Sequence, residues 1–302
     1  FNILRMFNKL LIEGCGLIDS SILRASIKKK IAKKYFVYEK SIKNNSTIKK
    51  INSKVILLKK LDHNISDIDF IILSTPMSSY SRIITSFNKF LTNKAIITDV
   101  GSTKKNVLKL KKNELNKSLN WILSHPIAGS EVSGPEYGKA NLFKNRWCII
   151  TKQKTDKKVE KVERFWKKIG CKVIFMNPEE HDKIFAITSH LPHLIAYNLI
   201  KTAQDFQHKE RKKLIKFSAG GLRDFSRTAA SNEIMWRDIF FNNKKNMLLA
   251  INMFLKNLNS FKKNIEKLED IKLRKKLLNS KKIRKEIIKL KQDVSEPDFG
   301  RK

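Results

Sequence analysis

The chain has 302 residues, long enough for two domains with ordinary cores, and 41% hydrophobic content with 9% aromatics excludes a disordered chain. Its charge is lopsided: 64 Lys and Arg stand against 28 Asp and Glu, a formal net charge of +36. Only twelve of the basic residues are arginine, and the lysines are scattered over nearly every expected helix and loop beside abundant Asn and Ile. The excess therefore reads as compositional drift and not as a nucleic-acid-binding stripe. No apolar run approaches the roughly 18 to 20 residues of a membrane span, so neither nucleic acid nor membrane is an expected partner. Cys15, Cys148 and Cys171 are odd in number and lack metal-type spacing; they are expected to be reduced core residues, which points to the cytoplasm.

In chain order, short apolar runs at residues 10–12, 35–38, 55–58, 70–73, 95–98, 121–123 and 148–150 alternate with lysine-rich helical stretches. This is the spacing of buried strands in a parallel sheet, and a run at 173–175 closes the series. The run at 10–12 ends at Glu13 and is too short for a signal sequence. Because the chain opens on Phe1, a native start upstream is expected. From Pro178 the pattern turns helical, with Pro in a first turn and Glu179-Glu180 suited to a helix N-terminus. The expected fold is α/β: a Rossmann-like dinucleotide-binding domain over residues 1–177, then an all-helical C-terminal domain over residues 178–302. No Gly/Ser linker divides them, so close packing with the active site at their junction is expected. The charged stretch 262–291 reads as a solvated face or a dimer arm.

The segment Gly14-Cys15-Gly16-Leu17-Ile18-Asp19 follows the first strand and opens a helix, where a dinucleotide-binding turn belongs. Its two glycines permit a tight turn and close approach to a pyrophosphate, while the helix N-terminus favours negative charge. The third glycine of that fingerprint is replaced by Asp19, bulky and acidic, so an incidental strand-helix turn stays open. Glu39, at the end of the second strand, stands where an acidic residue accepts hydrogen bonds from the adenosine ribose and favours NAD over NADP. Ser74-Thr75-Pro76 and Asp99-Val100-Gly101-Ser102-Thr103-Lys104 end the next two strands and should flank the nicotinamide, ordinary polar turns being the alternative.

Three of six histidines, three of six prolines and two of ten glycines fall in two short segments: 124–135, which contains Ser124-His125-Pro126-Ile127-Ala128-Gly129, and 189–193, Ser189-His190-Leu191-Pro192-His193. Histidine suits proton transfer near neutral pH, and Gly/Pro punctuation fixes a loop where a reacting group must be aimed. His125, in a constrained loop beside the expected cofactor cleft, reads as catalytic, with a structural histidine as the alternative. His193 is open between a buried structural role and a site role; His181, Ser189 and His193 are spaced to turn at least two polar groups to one helix face. Arg223, Arg227 and Arg237 lie within fifteen residues in a chain that otherwise uses lysine. They suggest a need for the planar guanidinium that grips carboxylates, or structural pairing with Asp224 and Asp238. The histidine spacing indicates no metal.

Taken together, these segments resemble the prephenate dehydrogenase family, specifically the bacterial cyclohexadienyl and arogenate dehydrogenases. The Thr98-Asp99-Val100-Gly101-Ser102, His125-Pro126-Ile127-Ala128-Gly129, Thr188-Ser189-His190-Leu191-Pro192-His193 and Asp224-Phe225-Ser226-Arg227 segments occur in the family's order, and the likeness runs from Leu11 to residues 297–301. The resemblance implies NAD-dependent oxidative decarboxylation of prephenate or arogenate in tyrosine biosynthesis, with both substrates open. It implies that His125 is the catalytic histidine and Ser102 its hydroxyl partner at the substrate. Ser189, His193 and Arg227 are then substrate-pocket residues, and Trp236 completes the pocket, from the same chain or across a dimer interface. Gly14, Gly16, Leu17, Ile18, Glu39, Thr75 and Pro76 are the cofactor residues. A homodimer through the helical domain is the expected assembly. Glu13 and Asp19 depart from the family pattern, so the alternative is a catalytically impaired relative with a weakened cofactor turn.

Overall fold

The computed structural model describes residues 5–151, 156–210 and 214–290; residues 297–301, where the family likeness ends, lie outside them. The chain forms two compact units, Phe1–Phe185 with Ala230–Asn243, and Ala186–Ala229 with Lys244–Lys302.

The first unit runs β1 (Phe7–Glu13), α1 (Leu17–Lys28), β2 (Ala32–Tyr38), α2 (Ile42–Ile51), β3 (Ile56–Leu58), β4 (Phe70–Leu73), α3 (Tyr80–Phe90), β5 (Ile96–Asp99), α4 (Lys105–Glu114), β6 (Asn120–Ile122), β7 (Ser124–Pro126), β8 (Trp147–Thr151), α5 (Lys157–Lys168), β9 (Lys172–Met176) and α6 (Pro178–Phe185). Six strands form one parallel sheet in the order β3-β2-β1-β4-β5-β6. This is the doubly wound, Rossmann-like arrangement, whose strand order reverses between β1 and β4. Leu10, Ile12, Phe70 and Ile72 enter one core cluster, Leu11, Ile71 and Leu73 the other. The period-two alternation thus buries both faces, as a parallel sheet requires.

Helices cover those faces through apolar stripes. In α3, Tyr80, Ile83, Ile84 and Phe87 are buried; in α5, Val159, Val162, Phe165 and Trp166. Asp156 caps α5 by accepting the Lys158 and Val159 N–H groups, and Gly170, at φ +113°, lets the chain leave it.

The expected single run of buried strands is corrected at its end. β7, β8 and β9 form a separate three-stranded sheet, with β7 antiparallel to β8 and β8 parallel to β9. β9 is not a buried strand either, since Ile174 is 42% exposed. The run at 121–123 also ends early, because Ser124 begins β7, and His125 lies on that short strand and not in a free loop.

The expected division at residue 177 falls one residue before α6, which belongs to the first compact unit. That unit also includes α9 (Glu233–Asn242), after α7 (Leu191–Glu210) and α8 (Gly220–Ser226) of the second. α10 (Lys244–Glu266) and α11 (Asp270–Lys289) complete the second unit, in which no strand occurs among the described residues. None of the described helices is long and apolar enough to cross a membrane.

Candidate active site

β1 delivers Gly14 at the switch point of the sheet, where ligands bind beyond the carboxyl ends of the strands. Gly14 has φ +95°, and a Cβ there would stand 3.0 Å from Thr75 Cγ2 and 3.2 Å from the Thr75 nitrogen. Only glycine lets this turn lie against the 74–76 loop. Gly16 caps α1, and Leu17 and Ile18 form its first turn, whose N–H groups have no partner within the helix. Glu39, just past β2, accepts the Cys15 and Ser41 N–H groups through separate carboxylate oxygens, each at 2.8 Å. Gly14, Gly16, Leu17, Ile18, Glu39, Thr75 and Pro76 therefore gather at one edge of the sheet, and the arrangement fits a dinucleotide: close backbone, helix N-terminus and an acidic group beyond β2.

The two departures from the fingerprint are built into this turn. Asp19 is buried, and its Oδ2 accepts the Gly16 N–H at 2.8 Å, satisfying a helix-end donor that would otherwise lack a partner. Glu13 is buried and accepts the Thr75 hydroxyl at 2.6 Å. Burial raises the Asp19 pKa to about 7 against the lowering effect of the Gly16 N–H, and the Glu39 charge adds to the rise. Burial likewise raises Glu13 to about 7 against its Thr75 hydrogen bond, with Asp19 pushing the same way. Both carboxyls thus hold much of a proton near neutrality, which softens the like-charge conflict with a phosphate. Since each has a partner inside an intact turn, the impaired-relative alternative is not favoured.

His125 is 9% exposed and sits on β7, opposite Ile149 of β8. The loop after it returns to the cofactor turn: a Cβ on Gly129 would lie 3.8 Å from Ile18 Cδ1. Behind β7 is a fully buried polar network. Ser124 Oγ lies 2.7 Å from Thr98 Oγ1 and donates to the Asp99 carbonyl at 2.7 Å, while Trp166 Nε1 donates to Ser124 Oγ at 3.1 Å. Lys104 is completely buried, paired with Asp99, and donates to the Ser124 carbonyl at 2.6 Å. Ser102, half-buried, stands in the loop between Asp99 and Lys104.

Sequence reasoning placed Lys104 in the loop beside the nicotinamide without foreseeing its ion pair with Asp99, and drew no link from His125 to His181. That histidine is buried on α6, with its Nε2 2.8 Å from His125 Nδ1 and its own Nδ1 2.8 Å from Asp182 Oδ1. It faces His125. The available signal was the His181-Asp182 pair in the first turns of a helix opened by Pro178.

In the second unit, His193 Nδ1 donates to the Ser189 carbonyl at 2.9 Å. Burial, above all, depresses the His193 pKa, the Ser189 hydrogen bond opposing it and the neighbouring Arg227 charge adding to it. Neutral His193 and exposed Arg227 are thus close to each other. Of the other clustered arginines, Arg237 pairs with Asp238 at 2.7 Å, and Asp238 also accepts the Ser78 N–H. Trp236, 5% exposed, packs on Phe240 within the first unit. Among the described residues no cluster of His, Cys, Asp or Glu could hold a metal ion.

A sequence model of the prephenate dehydrogenase nucleotide-binding domain matches residues 22–175, and one of the prephenate dehydrogenase dimerization domain matches residues 177–279. The chain belongs to the prephenate dehydrogenase family. Within that family it is 31% identical to the cyclohexadienyl dehydrogenase of Zymomonas mobilis, over 84% of this chain and 87% of that protein. It is 31% identical to the prephenate dehydrogenase of Bacillus subtilis, over 87% of this chain and 71% of that protein. Its structure resembles that of prephenate dehydrogenase from Aquifex aeolicus in complex with hydroxyphenyl propionate and NAD+, with a TM-score of 0.85 and 35% identity, covering 93% of this chain and 98% of that one.

Proposed function

We propose that this chain catalyses the NAD-dependent oxidative decarboxylation of prephenate to 4-hydroxyphenylpyruvate, or of arogenate to tyrosine. The observation that carries the reading is the meeting of the β1–α1 turn with the loop that follows His125 on β7. Family membership and the likeness to the NAD+ complex support it.

The substrate bears a ring hydroxyl opposite a quaternary carbon that carries a carboxylate. NAD, when bound, supplies the two-electron acceptor for the carbon bearing that hydroxyl. His125 takes the hydroxyl proton, and Ser102 holds the same oxygen from the β5 loop. Loss of carbon dioxide from the quaternary carbon then makes the ring aromatic. General-base help of this kind is worth roughly 10²- to 10⁴-fold. Ser189, His193, Arg227 and Trp236 are assigned to substrate binding on the family resemblance, with the Arg227 guanidinium receiving a substrate carboxylate.

Glu39, an acidic group just past β2 that accepts the Cys15 N–H, supports NAD over NADP, because a carboxylate at the end of that strand suits a ribose hydroxyl and repels a 2′-phosphate. Residues 178–302 supply the substrate and dimerisation part of a cytoplasmic homodimer. Purified protein, given NAD or NADP with prephenate and arogenate in turn, should form reduced cofactor with NAD and at least one substrate, followed by its absorbance. No reduction with either substrate would overturn the reading.

A further inference from the structure

We propose that His181 and Asp182 are positioning residues that fix the proton of His125 on Nδ1 and leave Nε2 as its basic nitrogen. This rests on the reading of His125 as the general base. The argument starts at the far end of the chain of contacts. Asp182 Oδ1 accepts the Lys104 N–H at 2.8 Å and Oδ2 the Lys105 N–H at 2.9 Å, so the carboxylate is anchored on the N-terminus of α4, where the helix dipole favours negative charge. A carboxylate so held can only accept, so His181 Nδ1, 2.8 Å away, carries a hydrogen. Burial first, and the Lys104 charge with it, lower the His181 pKa against the opposing Asp182, which keeps the ring neutral. Its Nε2 is then an acceptor, and His125 Nδ1, 2.8 Å away, must be the donor.

The ring edges support the same geometry. The His125 and His181 rings meet edge-on at 5.1 Å between centroids, and Phe185 packs on both at 5.1 Å and 4.5 Å. These contacts hold both imidazoles in one orientation. When His125 takes the substrate proton, the imidazolium donates to His181, and the Asp182 carboxylate beyond it stabilises the charge. The logic is that of an aspartate orienting a histidine in a hydrolytic triad, extended by one ring.

The charged or titratable groups facing His181 are Asp182 on α6, Lys104 before α4, Asp99 at the end of β5 and His125 on β7. His181→Phe keeps a ring but removes the acceptor, whereas His181→Gln places an amide near the position of Nε2. We expect His181→Phe to lower kcat by roughly tenfold to a hundredfold, to leave the KM for prephenate and the NAD affinity nearly unchanged, and to shift the pH profile of kcat. The Gln variant should recover part of the loss. Nitrogen-15 NMR of the imidazoles, with the His125 signal assigned by its loss in His125→Asn, should show the proton on Nδ1 in the parent and a shift toward Nε2 in His181→Phe.

A parent protein whose His125 carries its proton on Nε2 would overturn the proposal, whether or not any variant folds. So would a folded His181→Phe with parental kcat, pH profile and tautomer. His125→Asn separates the two readings: parental turnover in that variant removes His125 as the base, while lost turnover with a parental His181→Phe removes only the positioning role.

Discussion

Glu13 and Asp19 are carboxyls buried in the dinucleotide turn, each with its pKa raised to about 7, from 4.5 and 3.8. A carboxyl raised on folding contributes stability that is full below its unfolded pKa and is lost as pH rises to the folded value. The parent should therefore lose stability between about pH 4 and about pH 7, on the order of 2 to 4 kcal/mol for each group. Asp19→Asn keeps the shape but not the charge, so its melting temperature should gain on the parent's across that window and level off above it. Thermal denaturation at a series of pH values checks this; parallel curves would mean that Asp19 does not titrate there. Near pH 8, where Asp19 is ionised beside the expected phosphate, the same variant should bind NAD roughly fivefold or more tightly, since a like charge at such range costs on the order of 1 to 3 kcal/mol. Calorimetric titration reads it directly. Arg227 yields a different test. Arg227→Lys keeps the charge but not the two-pronged grip, so the KM for prephenate should rise about tenfold or more with the melting temperature unchanged. Parental kinetics would shift the carboxylate receptor to Arg223, because Arg237 is paired with Asp238.

Among the elements, the β1–α1 turn is the most constrained by its backbone. Gly14 combines φ +95° with the Thr75 nitrogen 3.2 Å from where a Cβ would stand. Gly14→Ala should weaken NAD binding by about tenfold or more while far-ultraviolet dichroism stays parental, because the strain falls on the turn and not on the sheet. Unchanged affinity would show that the turn tolerates a side chain. The same turn illustrates what was legible locally: Gly14 and Glu39 were readable because backbone geometry requires the first and charge beside the turn marks the second. β7 was not readable. Its three residues, Ser124, His125 and Pro126, have no periodic pattern, and only pairing with β8, more than twenty residues later, makes them a strand.

For the whole molecule, the second unit exposes many large apolar side chains, among them Leu248, Leu249, Met253, Leu255 and Leu258 on α10 and Leu277, Leu278, Ile283 and Ile287 on α11. Large exposed apolar area marks an interaction surface, and residues 177–279 match the family's dimerization domain. Sedimentation at micromolar concentration should give the mass of a homodimer, about twice the 35.2 kDa of the chain. A monomer at that concentration would remove the expected assembly. Lysines such as Lys201, Lys262 and Lys272 form exposed pairs with neighbouring carboxylates on their own helices or helix ends, which are worth little each.

By itself the sequence determined the α/β class and the six parallel strands of the first sheet, and marked the β1–α1 turn and the histidine segment as candidates, because hydrophobic period, glycine placement and rare residue types are local signals. The resemblance carried by those segments pointed to the family that the matched domains then showed. Only the tertiary structure decided how His125 is held. Asp182 is fixed by the N-terminus of α4, and His181 by burial against Phe185, although these partners are scattered from residue 104 to residue 185. It also decided the state of Asp19. Read in sequence, Asp19 is an acidic intruder in a phosphate site; folded, it is a buried carboxyl on the Gly16 N–H with its pKa at about 7. Burial and long-range hydrogen bonds set protonation and orientation, and neither is written in the spacing of residues along the chain.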